Sequence, residues 1–318
     1  MVNQSSWWDG ANSIPQRIVR SFHAAFPKAM KTALWLLKIM IPVTFLVLVL
    51  DYSGWLAVMA GWIAPLFVWI GLPGESAFVL LTSIFANIYS AIAVITTLGF
   101  TLREATILAM MCLIAHGFII ESAVVRKTGS NVVWMVVLRL LTSLASGLLL
   151  NWLLPEMAGK VGAAAHVESH SFLEALTSWG IATFWLTLKI ILLVLGLMFL
   201  QKMLEEFGVI SALKKPLRPL MGLMGLPTST TFSWIVANVL GLAYGSAIIM
   251  DEVNEGRMSR EDADLLNHHI VVSHSQLEDP LLFAAIGIPL GWIIWPRVAL
   301  AILVVWLRKT FNRMVRKK

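Results

Sequence analysis

The sequence predicts an all-α polytopic membrane protein made of two inverted repeats of about five apolar segments each, with room for re-entrant hairpins. Three observations carry this. Of the 318 residues, 58% are hydrophobic and only 13% are charged, where a soluble domain is about a quarter charged. The apolar residues gather into segments long enough to enter or cross a bilayer. Those segments fall into two sets that carry matching motifs in the same order.

The elements follow in chain order. The first residues lack an apolar core followed by small residues, so no cleavable signal is expected. Ile14, Ile18, Phe22 and Phe26 then recur at helical spacing, with Arg17, Arg20, Lys28 and Lys31 among them. Residues 1–32 are therefore expected to be an amphipathic segment on the cytoplasmic membrane surface. Apolar segments are marked at 33–50, 54–71, 76–99, 105–124 and 131–154, and again at 181–202, 207–225, 228–250, 263–279 and 281–306. The first set makes a repeat over 33–154 and the second a repeat over 181–306. Segment 207–225 carries Lys214, Lys215, Pro216, Arg218 and Pro219, which suits the interface. Segments 76–99 and 228–250 hold Asn, Ser and Gly at mid-length, which suits a hairpin of two half-helices.

The motifs tie the sets together. Leu37-Lys38-Ile39 matches Leu188-Lys189-Ile190, and Gly71-Leu72-Pro73 matches Gly225-Leu226-Pro227. Ala86-Asn87 followed by Tyr89-Ser90-Ala91-Ile92 answers Ala237-Asn238 followed by Tyr244-Gly245-Ser246-Ala247-Ile248. Arg103-Glu104-Ala105 answers Arg260-Glu261-Asp262-Ala263, and His116 with Glu121 answers His274 with Glu278.

Charge sets the expected orientation. Basic residues cluster near both termini, at Lys202 to Arg218 and at Arg126-Lys127, which places these on the cytoplasmic side. The linker 155–180 has one Lys against Glu156, Glu168 and Glu174 and reads as external, and 307–318 reads as a basic cytoplasmic tail. One set then begins inside and the other outside, so the repeat is inverted. Both termini are expected in the cytoplasm of a cell bounded by a bacterial inner membrane.

Composition also excludes function classes. The net charge of +6 is spread over termini and loops, with no basic patch interleaved with stacking aromatics, so nucleic acid is not an expected partner. The one cysteine, Cys112, rules out an internal disulfide and cysteine metal clusters. No phosphate-binding Gly-Lys-Ser/Thr loop, Gly-x-Ser-x-Gly elbow or His-Glu-x-x-His motif occurs, so no enzyme is expected and no cofactor is implied.

The candidate site lies where polar residues interrupt apolar ones. An unpaired polar group in hydrocarbon costs several kcal/mol, so such residues must face protein or water. His274 and Glu278 are four apart and would share a helix face, with Asn267 two turns earlier. With His116 and Glu121 at the matching place, these are candidates for a coupling ion or a proton; whether a metal binds is open. Asn87, Ser90, Asn238, Tyr244 and Ser246 are candidates for solute contact. Lys38 and Lys189 are expected to snorkel near the starts of their spans. Arg139 and Arg297 lie deeper and call for an acid each.

These motifs resemble a known family. Gly225-Leu226-Pro227 followed by Ala237 to Ala247 (AN-VLGLAYGSA) looks like the spore maturation protein A type of membrane protein. Gly71-Leu72-Pro73-Gly74 with Ala77-Phe78 and Ala91-Ile92 resembles the Gate motif of ferrous-iron transporter B and the concentrative nucleoside transporter relatives, a family labelled nucleoside recognition. The iron transporter's motif carries a cysteine where this chain has Phe85, Ala86 and Asn87, and its GTPase domain has no counterpart here. The resemblance implies membrane location, internal duplication and a transport-like role, with a nucleoside or a divalent cation among the solutes it suggests. The resulting expectation is a transporter or permease for a small polar or ionic solute, its site at the repeat interface. The alternative from another class is a non-transporting scaffold or regulator acting with partner proteins. A homodimer is compatible with either.

Overall fold

The computed structural model describes residues 13–162 and 171–316. The start of the amphipathic segment (1–12), the middle of the linker (163–170) and the last two lysines lie outside the described residues.

The described residues are predominantly helical. Two long helices, α1 (Ile14–Tyr52) and α8 (Phe172–Glu206), pack against each other. They run antiparallel: Phe22 meets Phe199, Phe45 meets Trp179 and Tyr52 meets Phe172. Arg20 closes the pair at one end with a 2.5 Å contact to Glu206. These are the first helices of the two repeats, so their opposed directions are those of an inverted pair. The expected amphipathic segment and first span form one continuous helix, α1. Likewise α8 starts at Phe172, nine residues before the apolar segment marked from 181, because Ser171 caps it by accepting from Glu174 N.

The helices between follow the repeat. α2 (Trp55–Val68) leads to α3 (Ser76–Phe85) and α4 (Ile88–Leu98), which fold back on each other across Ala86-Asn87. α5 (Leu102–Ile114) and α6 (Phe118–Lys127) are two pieces of one apolar stretch, and α7 (Val132–Leu153) is a full span. After α8 come the short α9 (Val209–Ala212) and α10 (Lys214–Leu223), then α11 (Thr231–Val239) and α12 (Leu242–Asn254), a second folded-back pair. α13 (Arg260–Ile270) and α14 (Asp279–Ala284) are again a broken stretch, and α15 (Leu290–Arg316) is the last span. A two-residue antiparallel ladder, Phe100 to Thr101 with Lys160 to Val161, pins the linker. By length and composition four helices among the described residues can cross a membrane: α1, α7, α8 and α15.

The repeated motifs are punctuation with a physical cause. Gly71 and Gly225 have φ of 72° and 73°. Each closes a helix with the same two bonds, Leu72 N to Phe67 O and Gly71 N to Val68 O, and Leu226 N to Met221 O and Gly225 N to Gly222 O. This is a Schellman turn, with the left-handed residue at Gly and Pro barring further helix. The Arg-Glu motifs are helix starts: Thr101 and Glu104 make a capping box, and Ser259 accepts from Asp262 N. The breaks at Asn87 and Gly241 turn segments 76–99 and 228–250 into hairpins. Gly245 is essential to the second, because a Cβ there would lie 2.5 Å from Ala237 Cβ and 2.7 Å from its Cα.

Candidate functional site

Two helix breaks build the site. α5 ends at Ile114 and α6 starts at Phe118; α13 ends at Ile270 and α14 starts at Asp279. A helix end leaves carbonyls without partners, and no water is at hand in an apolar core. His116 and His274 meet this need in the same way. His116 Nδ1 lies 2.9 Å from Cys112 O, and His274 Nδ1 lies 2.7 Å from Ile270 O. A carbonyl can only accept, so each Nδ1 carries the hydrogen and each Nε2 is turned inward.

The arginines complete the breaks. Arg139 of α7 donates from Nε to Ile114 O (2.8 Å) and from Nη2 to His116 O (2.7 Å). Arg297 of α15 donates from Nε to Val272 O at 2.8 Å. In both cases the carbonyl is 25 residues before the arginine. One shift therefore carries Ile114, His116 and Arg139 onto Val272, His274 and Arg297. The same shift carries Glu121 onto Asp279, and not onto Glu278.

The carboxylates sit in the first turns of α6 and α14, where a helix favours negative charge. Glu121 Oε1 is 2.9 Å from His116 Nε2 and 3.4 Å from His274 Nε2. Its Oε2 is 2.8 Å from Arg139 Nη1. The two imidazole rings are 5.2 Å apart between centroids. Asp279 Oδ2 lies 3.7 Å from His116 Nε2. All six groups are buried: His116, Glu121, Arg139, His274, Asp279 and Arg297. The halves are not in the same state. Arg139 grips Glu121, while the two terminal nitrogens of Arg297 make no hydrogen bond among the described residues.

His116, Glu121 and His274 could hold a metal ion, their donor atoms lying within 4.8 Å of one another. The distances favour a proton. Ligands at about 2.0–2.1 Å in a tetrahedral shell stand roughly 3.3 Å apart, whereas 2.9 Å between His116 Nε2 and Glu121 Oε1 is the length of a hydrogen bond. A bare Nε2 lone pair opposite a carboxylate oxygen at that distance would repel it. Charge balance points the same way: the two carboxylates match the two guanidiniums, so a proton adds one net charge to this buried set and a divalent cation adds two.

The other candidates divide. The stretch 271–278 is not helical, and Ser275 has φ of 49°. His274 and Glu278 therefore do not share a helix face. Glu278 turns away to accept from Tyr89 Oη (3.0 Å) and Gln201 Nε2 (3.3 Å). Asn267 donates to Thr128 and Ser130, tying α13 to the turn between α6 and α7 rather than entering the cluster. Asn87 caps α4, its Oδ1 accepting from Ser90 N at 2.9 Å. Asn238 donates to Trp234 O. Asn87 Nδ2, Ser90 Oγ and Asn238 Oδ1 make no hydrogen bond among the described residues, so each keeps a group to offer. Ser246 is buried, whereas Tyr244 is 55% exposed on the lining of a crevice of about 50 Å³ with Lys28, Gln201 and Lys202. Sequence reasoning left out Asp279; the spacing common to the His and Arg pairs is the signal that finds it.

Comparison with known proteins agrees with this architecture. A family model described as Gate, nucleoside recognition, matches residues 33–132. The chain is similar to the uncharacterized membrane protein YvoD of Bacillus subtilis (strain 168), with 30% identity over 291 residues, covering 89% of this chain and 92% of that protein. No solved structure matches it. With the Gate model matched over residues 33–132 and its relative matched over nearly the whole length, the chain belongs to the Gate (nucleoside recognition) family of membrane proteins.

Proposed function

We propose that the protein is an inner-membrane transporter for a small polar or ionic solute, coupled to a proton held by His116, Glu121 and His274. The carrying observation is that both repeats send a histidine to one buried carboxylate oxygen. Ionisable groups at membrane depth are costly and mark ion pathways. Broken helices facing each other across inverted repeats are the usual setting of a transport site. The unequal halves support alternating access: a proton arriving at Glu121 competes with Arg139, and Arg297 has free donors ready for Asp279. Asn87, Ser90 and Asn238, at the hairpin tips, keep polar groups for solute. The termini lie in the cytoplasm by charge.

The test is proton flux in proteoliposomes carrying an internal pH dye. Nucleosides, organic acids, inorganic phosphate and divalent metal salts are added in turn. Solute-driven flux that is lost in Glu121→Gln is expected. Absence of flux with every solute, together with unaltered pH behaviour of Glu121→Gln, would favour the scaffold reading.

A further inference from the structure

A second polar feature lies at the repeat interface, apart from the histidine cluster. It is a cavity of about 340 Å³ lined by Met40, Thr44, Thr96, Thr97, Thr183 and Lys189, among others, with Gly162 of the linker at its edge. The volume is that of a small-ligand pocket. The lining comes from α1 and α4 of the first repeat and α8 of the second. Ala285 and Ile286, just beyond α14, also reach it, so it adjoins the element that bears Asp279.

Lys189 is the unusual member. Because α8 starts at Phe172, Lys189 is the middle residue of its 35, with about 26 Å of helix on either side at ~1.5 Å per residue. Lys189 forms no ion pair or hydrogen bond with the described residues. Its side chain is exposed on the wall of this cavity, an unpaired cation open to a ligand that brings negative charge.

The threonines define the rest of the chemistry. Thr44 donates to Ile41 O, and Thr96 and Thr97 both donate to Ala93 O. Their hydroxyl protons are thus spent on backbone, and the hydroxyls can offer the cavity only acceptor lone pairs. One ammonium faces several acceptors, which fits a solute with a negative group at one end and O–H or N–H groups elsewhere.

We propose that this cavity binds the transported solute and that the solute is anionic, its carboxylate or phosphate held by Lys189 and its hydroxyl or amine groups by Thr44, Thr96 and Thr97. This rests on the transporter reading above. The chemistry is shared by the phosphate of an anionic lipid, so the test separates the two sources.

The experiment measures thermal stabilisation of the full chain in nanodiscs of phosphatidylcholine alone or with phosphatidylglycerol. The probes are inorganic phosphate, succinate, uridine monophosphate and uridine. In phosphatidylcholine at least one anionic probe is expected to stabilise the wild type, with Kd raised tenfold or more by Lys189→Met and restored by Lys189→Arg. Stabilisation by phosphatidylglycerol alone would assign Lys189 to a lipid and overturn the proposal. So would binding of uridine that Lys189→Met does not change, or no response to any anionic probe. Proton flux driven by uridine but by no anion would overturn this inference and leave the transporter reading standing. Lys189-dependent anion binding without any solute-driven flux would do the reverse.

Discussion

The rings of His116 and His274, one from each repeat, face each other 5.2 Å apart over a single oxygen of Glu121. Each is held by a backbone carbonyl on its far side. Neither has freedom to turn away, so a proton at this oxygen is shared by both. His116→Ala and His274→Ala should therefore not act independently. A coupling energy of about 0.5–3 kcal/mol is expected between them for residues in one network, read from solute-driven proton flux of the singles and the double. Strictly additive losses would refute the shared proton.

Glu121→Gln should also be destabilising. It strips Arg139 of its only carboxylate contact within 4 Å among the described residues, and leaving a buried charge without its partner costs about 3–5 kcal/mol. Replacing both, as Glu121→Gln with Arg139→Met, should recover part of the loss. Unfolding in detergent by denaturant gives the comparison. If the double variant is less stable than the sum of the singles, the pair is not the unit described.

Asp279 and Glu278 are neighbours with different roles. Asp279→Asn is expected to impair proton coupling, because Asp279 approaches His116. Glu278→Gln should keep coupling and weaken only its contacts with Tyr89 and Gln201, at about 0.5–1.5 kcal/mol per hydrogen bond. Tyr89→Phe should resemble Glu278→Gln in stability. Flux assays on the three variants distinguish the roles; coupling lost in Glu278→Gln and kept in Asp279→Asn would reverse the assignment.

Two glycines should respond with opposite signs. Gly245→Ala forces a Cβ to 2.5 Å of Ala237 and is expected to cost about 1–3 kcal/mol by overpacking the hairpin. Gly222 lies in α10 with open space around it. Gly222→Ala should stabilise by about 0.5–1 kcal/mol. Thermal unfolding of the two variants checks both; equal effects would mean that α12 does not pack on α11 as described.

A metal test separates the two cations. A ligand at a hundred times its Kd stabilises a protein by about 2.7 kcal/mol. With a proton at the cluster, zinc and manganese should give no shift that His274→Ala removes. Such a shift would assign His116, Glu121 and His274 as metal ligands.

Much of this fold is local and was readable from the chain. The Gly-Leu-Pro pairs, the capped Arg-Glu starts and the interruptions at Asn87 and Gly241 are signals between residues a few positions apart, so they fold as written. Most segments marked from hydropathy fall on helices, though α1 runs from the amphipathic segment into the first span, α8 begins inside the expected linker, and 105–124 and 263–279 break after Ile114 and Ile270. Hydropathy marks apolar stretches, and a helix goes on for as long as its backbone bonds and caps allow.

The sequence by itself determined the membrane class, the matched motifs, the breaks within 76–99 and 228–250, and His116, Glu121 and His274 as candidates. Only the tertiary structure decided which charges meet. The spacing of His274 and Glu278 implied a shared face only if the helix continued, and the backbone leaves the helix after Ile270. Once it does, a one-residue difference turns the side chain elsewhere: Asp279 goes to His116 and Glu278 to Tyr89 and Gln201. Arg139 finds Glu121 because α7 packs beside the α5–α6 break, and Lys189 shares a cavity with Thr44, Thr96 and Thr97 because α8 packs against α1 and α4. Contacts between residues far apart in the chain are set by how helices pack, and periodicity along one helix does not contain that information.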